Sequence, residues 1–418
     1  MKVLASVILS STLALASKGL NPRTTRDKTQ PVNFDGPYVT NPSPGPDNVS
    51  LDWWWAHVIG DEVDGIVPSL EVILYEGFIF TRSPTDPSFQ VDVSGKPPSS
   101  CMKIKFSSAF IGTLPNGTQF FVTIPASTTI ITEDTKQVKG VWNGPSGEGV
   151  ASFLSSTGPP RTFDVSFDYP PLGISGSLSL VGTNTPPHTA CTGGTAGSRY
   201  FDPAIPAGVA LNAAQTEFFN SFGWAIAMPG TTSAKATIAF DGGSVSFEGT
   251  GYHDQNWGYK PLNEYVNTWL FGIGSCGPYH VAFVEAQPLN STQNDDFMSG
   301  YLAFDTQILQ SQCTTYSNLP YPKPNTFAFN ISGSTVSPVT GRTLPTNMFS
   351  EFVITNGSRY QFDLKLLPAT PDLPIYNRWR AVGKGGLVGG KQYDCAILGD
   401  WLNPGAVTYT DGSNIFEL

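Results

Sequence analysis

The stretch Ala234–Gly258, AKATIAFDGGSVSFEGTGYHDQNWG, decides the fold. Two alternating runs flank Asp241-Gly242-Gly243, the pattern of two antiparallel strands joined by a tight glycine turn. Beyond Glu248 the second run turns polar without breaking, through Tyr252, His253, Asp254, Gln255, Asn256 and Trp257. A period of two puts Phe247, His253, Gln255 and Trp257 on one face, and Tyr252, Asp254 and Asn256 on the other. A carboxylate and an amide on one face suit a substrate's polar group. They equally suit buried backbone at a junction.

The same plan returns at Arg378–Trp401, RWRAVGKGGLVGGKQYDCAILGDW, again a glycine-turned hairpin running into a tryptophan. The openings match too. Leu51–Glu76, LDWWWAHVIGDEVDGIVPSLEVILYE, is a Trp-bearing strand, a loop and a strong strand, and Val266–Ala286, VNTWLFGIGSCGPYHVAFVEA, repeats that order. This duplication predicts an N-terminal β-sandwich or barrel domain over residues 48–262 and a C-terminal β-barrel domain over 263–418. The polar strand would then end the first domain, against the seam between the two.

Composition agrees with an all-β chain. Of 418 residues, 43 are Gly and 35 Pro, and short alternating runs such as TQFFVTI, RTFDVSFDY and YQFDLKLL recur between turn residues. A net charge of −10 argues against nucleic acid, which requires a basic footprint. Residues 1–17 have the basic start, apolar run and small-residue end of a secretory signal peptide, and 18–47 read as an extended leader. Asn48, Asn116, Asn290, Asn330 and Asn356 head glycosylation sequons, in keeping with export through the secretory pathway. No later apolar run reaches the length of a membrane span. Five cysteines in an oxidising compartment allow two disulfides, with Cys101–Cys191 and one pair among Cys276, Cys313 and Cys395 as the expectation.

Among candidate site residues the tryptophans are the most unusual. Trp53, Trp55 and His57 share a strand face while Trp54 points opposite, and at least one indole of the run should line a cavity or interface. Trp269 and Phe271 hold the corresponding strand of the second half. Gly272–Gly277, GIGSCG, matches G-x-G-x-x-G, but a β run follows where a phosphate-binding helix would be needed. His57, His188, His253 and His280 are scattered singly, so no metal site is expected. A glycosidase would need two carboxyls across a cleft, and only Asp52, Asp254 and Glu264 lie beside the aromatic motifs.

Gly223–Gly258 together with LDWWWAHV and TWLFG resembles the hydroxyneurosporene synthase-like family of lipocalin-related proteins, whose strand of the type G-x-G-Y-H-D-x-N-W-G precedes a W-x-x-G strand. Gln255 stands here where the family often has His. The resemblance implies two lipocalin-like β-barrel or β-sandwich domains with a pocket at their interface for hydrophobic, polyunsaturated ligands. Within the family, a signal peptide with many sequons resembles the secreted fungal hetero-Diels–Alderases of tropolone–sesquiterpene meroterpenoid biosynthesis. The implied activity is a cofactor-free, intermolecular hetero-Diels–Alder reaction between a tropolone o-quinone methide and humulene, with dehydration of the tropolone precursor at the same site. In that role Trp54, Trp55, Trp257 and Trp269 would shape the pocket, and Tyr252, His253, Asp254 and Asn256 would supply its polar contacts. A terpenoid hydratase, with Asp254 protonating an alkene, and a non-catalytic lipocalin-like carrier are the competing functions.

Overall fold

The computed structural model describes residues 34–36, 51–77, 106–144, 146–189, 212–240, 243–258, 262–289, 297–315, 324, 326–338, 341–369 and 376–402. Residues 1–17, read above as a signal peptide, lie outside them, as do Asn48, Asn290, Cys101, Cys191 and the Cys313 side chain. Nearly everything described is strand, gathered into two curled half-barrel sheets of thirteen and nine strands. The one described α-helix, Ala213–Ser221, starts on a reciprocal cap in which Asn212 and Gln215 each bond the other's backbone N–H.

Both sheets close on the same plan. In the first, Leu51–Gly60 lies between Ser69–Gly77 and the long strand Gly243–Gly258; in the second, Val266–Cys276 lies between Tyr279–Pro288 and Tyr393–Leu402. The first strand of each sheet therefore pairs with the last. Strands up to Gly258 belong to the first sheet, and those from Val266 to the second, apart from Thr335–Val336 and Thr343–Leu344, which pair only with each other. Cys276 and Cys395 are direct ladder partners in that second closure and form a disulfide.

Alternation along the Trp-rich strand then sets the layers. Trp54, Ala56 and Val58 point into the first sheet's own core with Val72, Phe110, Trp142, Phe153 and Leu180. Trp53, Trp55 and Ile59 point the other way, into a seam shared with Trp269, Phe271, Ile273 and Leu398 of the second sheet. All ten residues of Leu51–Gly60 are buried as a result. A strand covered on both faces can be apolar throughout, and this one nearly is.

The strand Gly243–Gly258 changes character midway. Its first half alternates between exposed and half-buried positions along Thr231–Phe240. Its last eight residues, all buried, are held on one side by Leu51–Gly60 and on the other by Phe222–Met228. Glycine enables the passage at Gly249, where a Cβ would sit 1.9 Å from the Ile59 carbonyl oxygen. It does so again at Gly223, whose missing side chain makes room for the Trp257 indole.

Candidate functional site

Direct ladder partners share a face, so the register states what surrounds the polar strand. Tyr252 lies beside His57, Asp254 between Trp55 and Ile226, and Asn256 between Trp53 and Trp224. These residues look onto the second sheet. Trp55 and Trp224 pack on Phe271 at centroid distances of 5.5 and 5.4 Å, and Trp53 packs on Trp269 at 6.3 Å.

Asp254 is the hub of this face. Its Oδ2 accepts from Trp224 Nε1 (2.7 Å) and Tyr252 OH (2.9 Å), and its Oδ1 accepts from Asn256 Nδ2 (2.8 Å). Burial pushes the carboxyl up to about 6, and the three donors and His253 pull back against that rise. The Tyr252 hydroxyl is held far above its usual range by burial and by the neighbouring carboxylate.

Across the seam stands a second polar group. Arg378 and Asp400 are ladder partners in the second sheet, and Phe271 flanks Asp400 on its other side. The Arg378 guanidinium forms an ion pair with Glu71 of the first sheet and reaches Asp400 Oδ2 at 3.4 Å. It lies between the rings of Trp55 and Tyr376, at 4.5 and 4.9 Å from their centroids. Burial raises the Glu71 carboxyl well above its ordinary value, with the Asp400 charge adding to the rise. Asp400 is pushed up to about 7, chiefly by burial, with Arg378 opposing and Asp254 reinforcing the shift. His57 is pushed down to about 3 by burial and by the Arg378 charge.

Several buried polar atoms in the seam have no hydrogen-bond partner among the described residues: Trp55 Nε1, Trp269 Nε1, Tyr301 OH, His57 Nδ1 and Asp400 Oδ1. Each costs free energy unless something bonds it. Their concentration between aromatic walls makes the seam the candidate active site.

The structure divides the expected residues between two faces. Tyr252, Asp254, Asn256, Trp55 and Trp269 come together at the seam. His253, Trp54 and Trp257 do not, because the two-residue period turns them into the first sheet. There His253 bonds the Trp55 carbonyl oxygen (2.7 Å) and Asp35 Oδ1 (2.8 Å) and stacks on Phe163. Trp54 donates to the Asp35 carbonyl oxygen (2.9 Å) and packs on Trp142 and Phe153. Trp257 packs with Phe34 and Ala225. Asp35 also pairs with Arg161 at 3.2 Å, and the His253 and Arg161 charges overcome its burial to hold it well below the usual carboxylate range. Phe34–Gly36, inside the stretch read as an extended leader, are thus built into the first sheet's interior.

Residue-by-residue reading missed Trp224, Glu71, Tyr301, Arg378 and Asp400, and left open which indole of Trp53–Trp55 faces the seam. Glu71, Arg378 and Asp400 are strand-borne charges in a chain with only 13% charged residues, but Glu76, Arg380 and Asp394 on the same strands carry that signal equally. The sequons at Asn116, Asn330 and Asn356 are exposed, and two sit in turns where Asn Oδ1 accepts from the backbone N–H of Thr118 or Ser358.

Fold and seam together define a two-sheet, lipocalin-like protein with an aromatic, polar-tipped site between its halves. The Diels-Alderase-like family model matches residues 99–363, and the chain belongs to that family. It is 25% identical over 291 residues to the quinolone epoxide rearrangement protein penF of Penicillium thymicola, covering 69% of this chain and 72% of that one. It is 24% identical over 293 residues to the quinolone epoxide rearrangement protein asqO of Emericella nidulans, covering 69% and 70%. Among solved structures, CghA superposes with a TM-score of 0.61 at 15% identity, covering 91% of this chain and 97% of that one. CghA with Sch210972 superposes with a TM-score of 0.59 at 16% identity, covering 85% and 89%.

Proposed function

We propose that this chain is a pericyclase of the secretory pathway that joins two bound small molecules at the seam. The specific reaction is the intermolecular hetero-Diels–Alder addition of a tropolone o-quinone methide to humulene, after dehydration of the tropolone precursor. One observation carries this reading: aromatic walls from both sheets enclose buried N–H and O–H donors that nothing in the described chain satisfies.

A cycloaddition makes its bonds in one concerted event, so the protein's task is arrangement. Holding two reactants in a near-attack geometry can lower the barrier by roughly 7–11 kcal/mol in ideal intramolecular models. Trp53, Trp55, Trp224, Trp269 and Phe271 supply surfaces that suit a flat tropolone and a hydrocarbon ring. Trp55 Nε1, Trp269 Nε1 and Tyr301 OH are donors for the heterodiene oxygen, where negative charge grows as the diene reacts. Tyr252 is spent differently, since its O–H is given to Asp254. The family membership supports pericyclic or rearrangement chemistry.

The test is incubation of purified protein with the hydroxymethyl tropolone precursor and humulene. Product must form faster than in a protein-free control and as a single stereoisomer. Equal rates and a racemic product would overturn the proposal.

A second reading draws on the Asp254 carboxyl, raised to about 6, and on relatives named for epoxide rearrangement. In it Asp254 protonates an alkene or epoxide of a terpenoid, and water or a neighbouring group captures the cation. Where an alkene is protonated it predicts solvent deuterium on carbon in the product, which cycloaddition does not.

A further inference from the structure

The seam holds two buried aspartates, one per sheet, and their surroundings assign them different work. Asp254 has both oxygens engaged by three donors at 2.7–2.9 Å, an arrangement that favours a carboxylate acting as an acceptor. Asp400 is bound loosely and on one side. Its Oδ2 meets Tyr376 OH at 3.3 Å and Arg378 Nη2 at 3.4 Å, while its Oδ1 has no partner among the described residues. Asp400 is 2% exposed, so its free oxygen is shut off from bulk water.

The register puts Asp400 on the face that lines the candidate site. Asp400 shares its face with Phe271 and Arg378, and both of those touch Trp55. The unpartnered donors Trp55 Nε1, Trp269 Nε1 and Tyr301 OH lie in the same seam. The charged and titratable groups facing Asp400 from the packed elements are Arg378 and Tyr376 on its neighbouring strand, and Glu71, Tyr75 and Asp254 on the first sheet. His57 faces Arg378 from the same sheet.

We propose that Asp400 is the proton-transfer residue of the seam, touching the oxygens of a bound hydroxymethyl tropolone through Oδ1, while Asp254 serves to position Tyr252, Trp224 and Asn256. This rests on the reaction proposed above and assigns its first step. The Asp400 carboxyl gives its proton to the hydroxymethyl oxygen as the C–O bond breaks, and water leaves. The proton of the adjacent ring hydroxyl passes to the Asp400 carboxylate, which restores the acid and leaves a neutral o-quinone methide. The substrate loses one water, with no oxidant or reductant required. Charge balance fits: Arg378 is one cation facing two carboxyls, Glu71 and Asp400, and burial pushes both toward their protonated forms.

The test compares Asp400→Asn and Asp254→Asn on two precursors: the hydroxymethyl tropolone, and an analogue bearing an acetate that leaves without protonation. Removing a general acid should cost ~10²–10⁴-fold. Asp400→Asn is expected to lose that factor on the hydroxymethyl precursor and far less on the acetate, and Asp254→Asn to affect both alike. A loss shared equally between precursors in Asp400→Asn, or the split falling on Asp254→Asn, overturns the assignment. If wild type forms no cycloadduct from either precursor, the proposed reaction fails instead. The assignment is then judged by infrared spectroscopy of protein carrying carbon-13-labelled aspartate. A protonated aspartate carbonyl band at neutral pH must vanish in Asp400→Asn and persist in Asp254→Asn, and persistence in Asp400→Asn overturns it.

Discussion

The Arg378 guanidinium of the second sheet lies 4.5 Å from the centre of the Trp55 ring of the first, and Trp55 is the ladder neighbour of Asp254. One contact therefore links the two polar groups of the seam. Arg378 also pairs with Glu71 and Asp400, so it is the only counter-charge those two carboxyls have among the described residues. Replacing Arg378 with Met keeps the volume and strands both acids. Breaking a buried pair from one side typically costs ~3–5 kcal/mol, less whatever protonation of Glu71 recovers. Denaturant unfolding should show that loss for Arg378→Met. The triple variant Glu71→Gln, Arg378→Met, Asp400→Asn should recover much of it, because no charge is then left alone.

Two of the three adjacent tryptophans, Trp54 and Trp55, make separable predictions. Trp55→Phe removes an N–H that has no partner, so relief of that burial offsets part of the lost packing. Its stability should fall by only about 1 kcal/mol, while turnover and stereoselectivity change because a wall and donor of the seam are gone. Trp54→Phe instead loses the bond to the Asp35 carbonyl oxygen and contacts with Trp142 and Phe153. A cost of roughly 2–4 kcal/mol is expected, with product stereochemistry unchanged. Thermal unfolding and chiral product analysis on the same preparations check both.

That contrast also marks how far the sequence could be read. The alternation of Trp53, Trp54 and Trp55 was legible, because a strand's period is two regardless of context. Which face met the second sheet was not, since both faces are apolar and sequence carries no label for the partner. For Asp254, two of three donors sit at i−2 and i+2 and follow from the period alone. The third, Trp224, comes from a strand thirty residues away whose register no local pattern specifies. Arg378 and Asp400 were hidden for the same reason at longer range, although the duplicated hairpin that carries them was visible. His253 misled because a polar run on a strand was taken as one site. On a strand buried on both sides it must serve two, and the second is the Asp35–Arg161 cluster.

The Asp35 cluster should be structural. Asp35→Ala leaves Arg161 and His253 buried without their carboxylate, at a cost of ~3–5 kcal/mol. The folded protein holds Asp35 below its ordinary value, so its contribution is present above that value and is lost as pH falls through the acid range. The gap in stability between wild type and Asp35→Ala should therefore narrow on acidification. Specific activity per folded molecule should remain near wild type.

Asp254 should show the opposite sign. Its carboxyl rises from an ordinary 3.8 to about 6, so between those values the folded chain binds the proton that the unfolded chain has released. Unfolding free energy from this group then falls as pH rises through that window, by an upper limit of roughly 3 kcal/mol at about 1.4 kcal/mol per unit. Asp254→Asn does not titrate, so the stability of wild type minus that of the variant should grow as pH drops from 6 to 4. His57, pushed down to about 3, destabilises both proteins equally over the same interval and cancels in the difference. Denaturant curves collected at pH 4, 5 and 6 measure it. A difference that stays flat, or that grows toward pH 6, would mean Asp254 is ionised throughout and that its three donors outweigh burial.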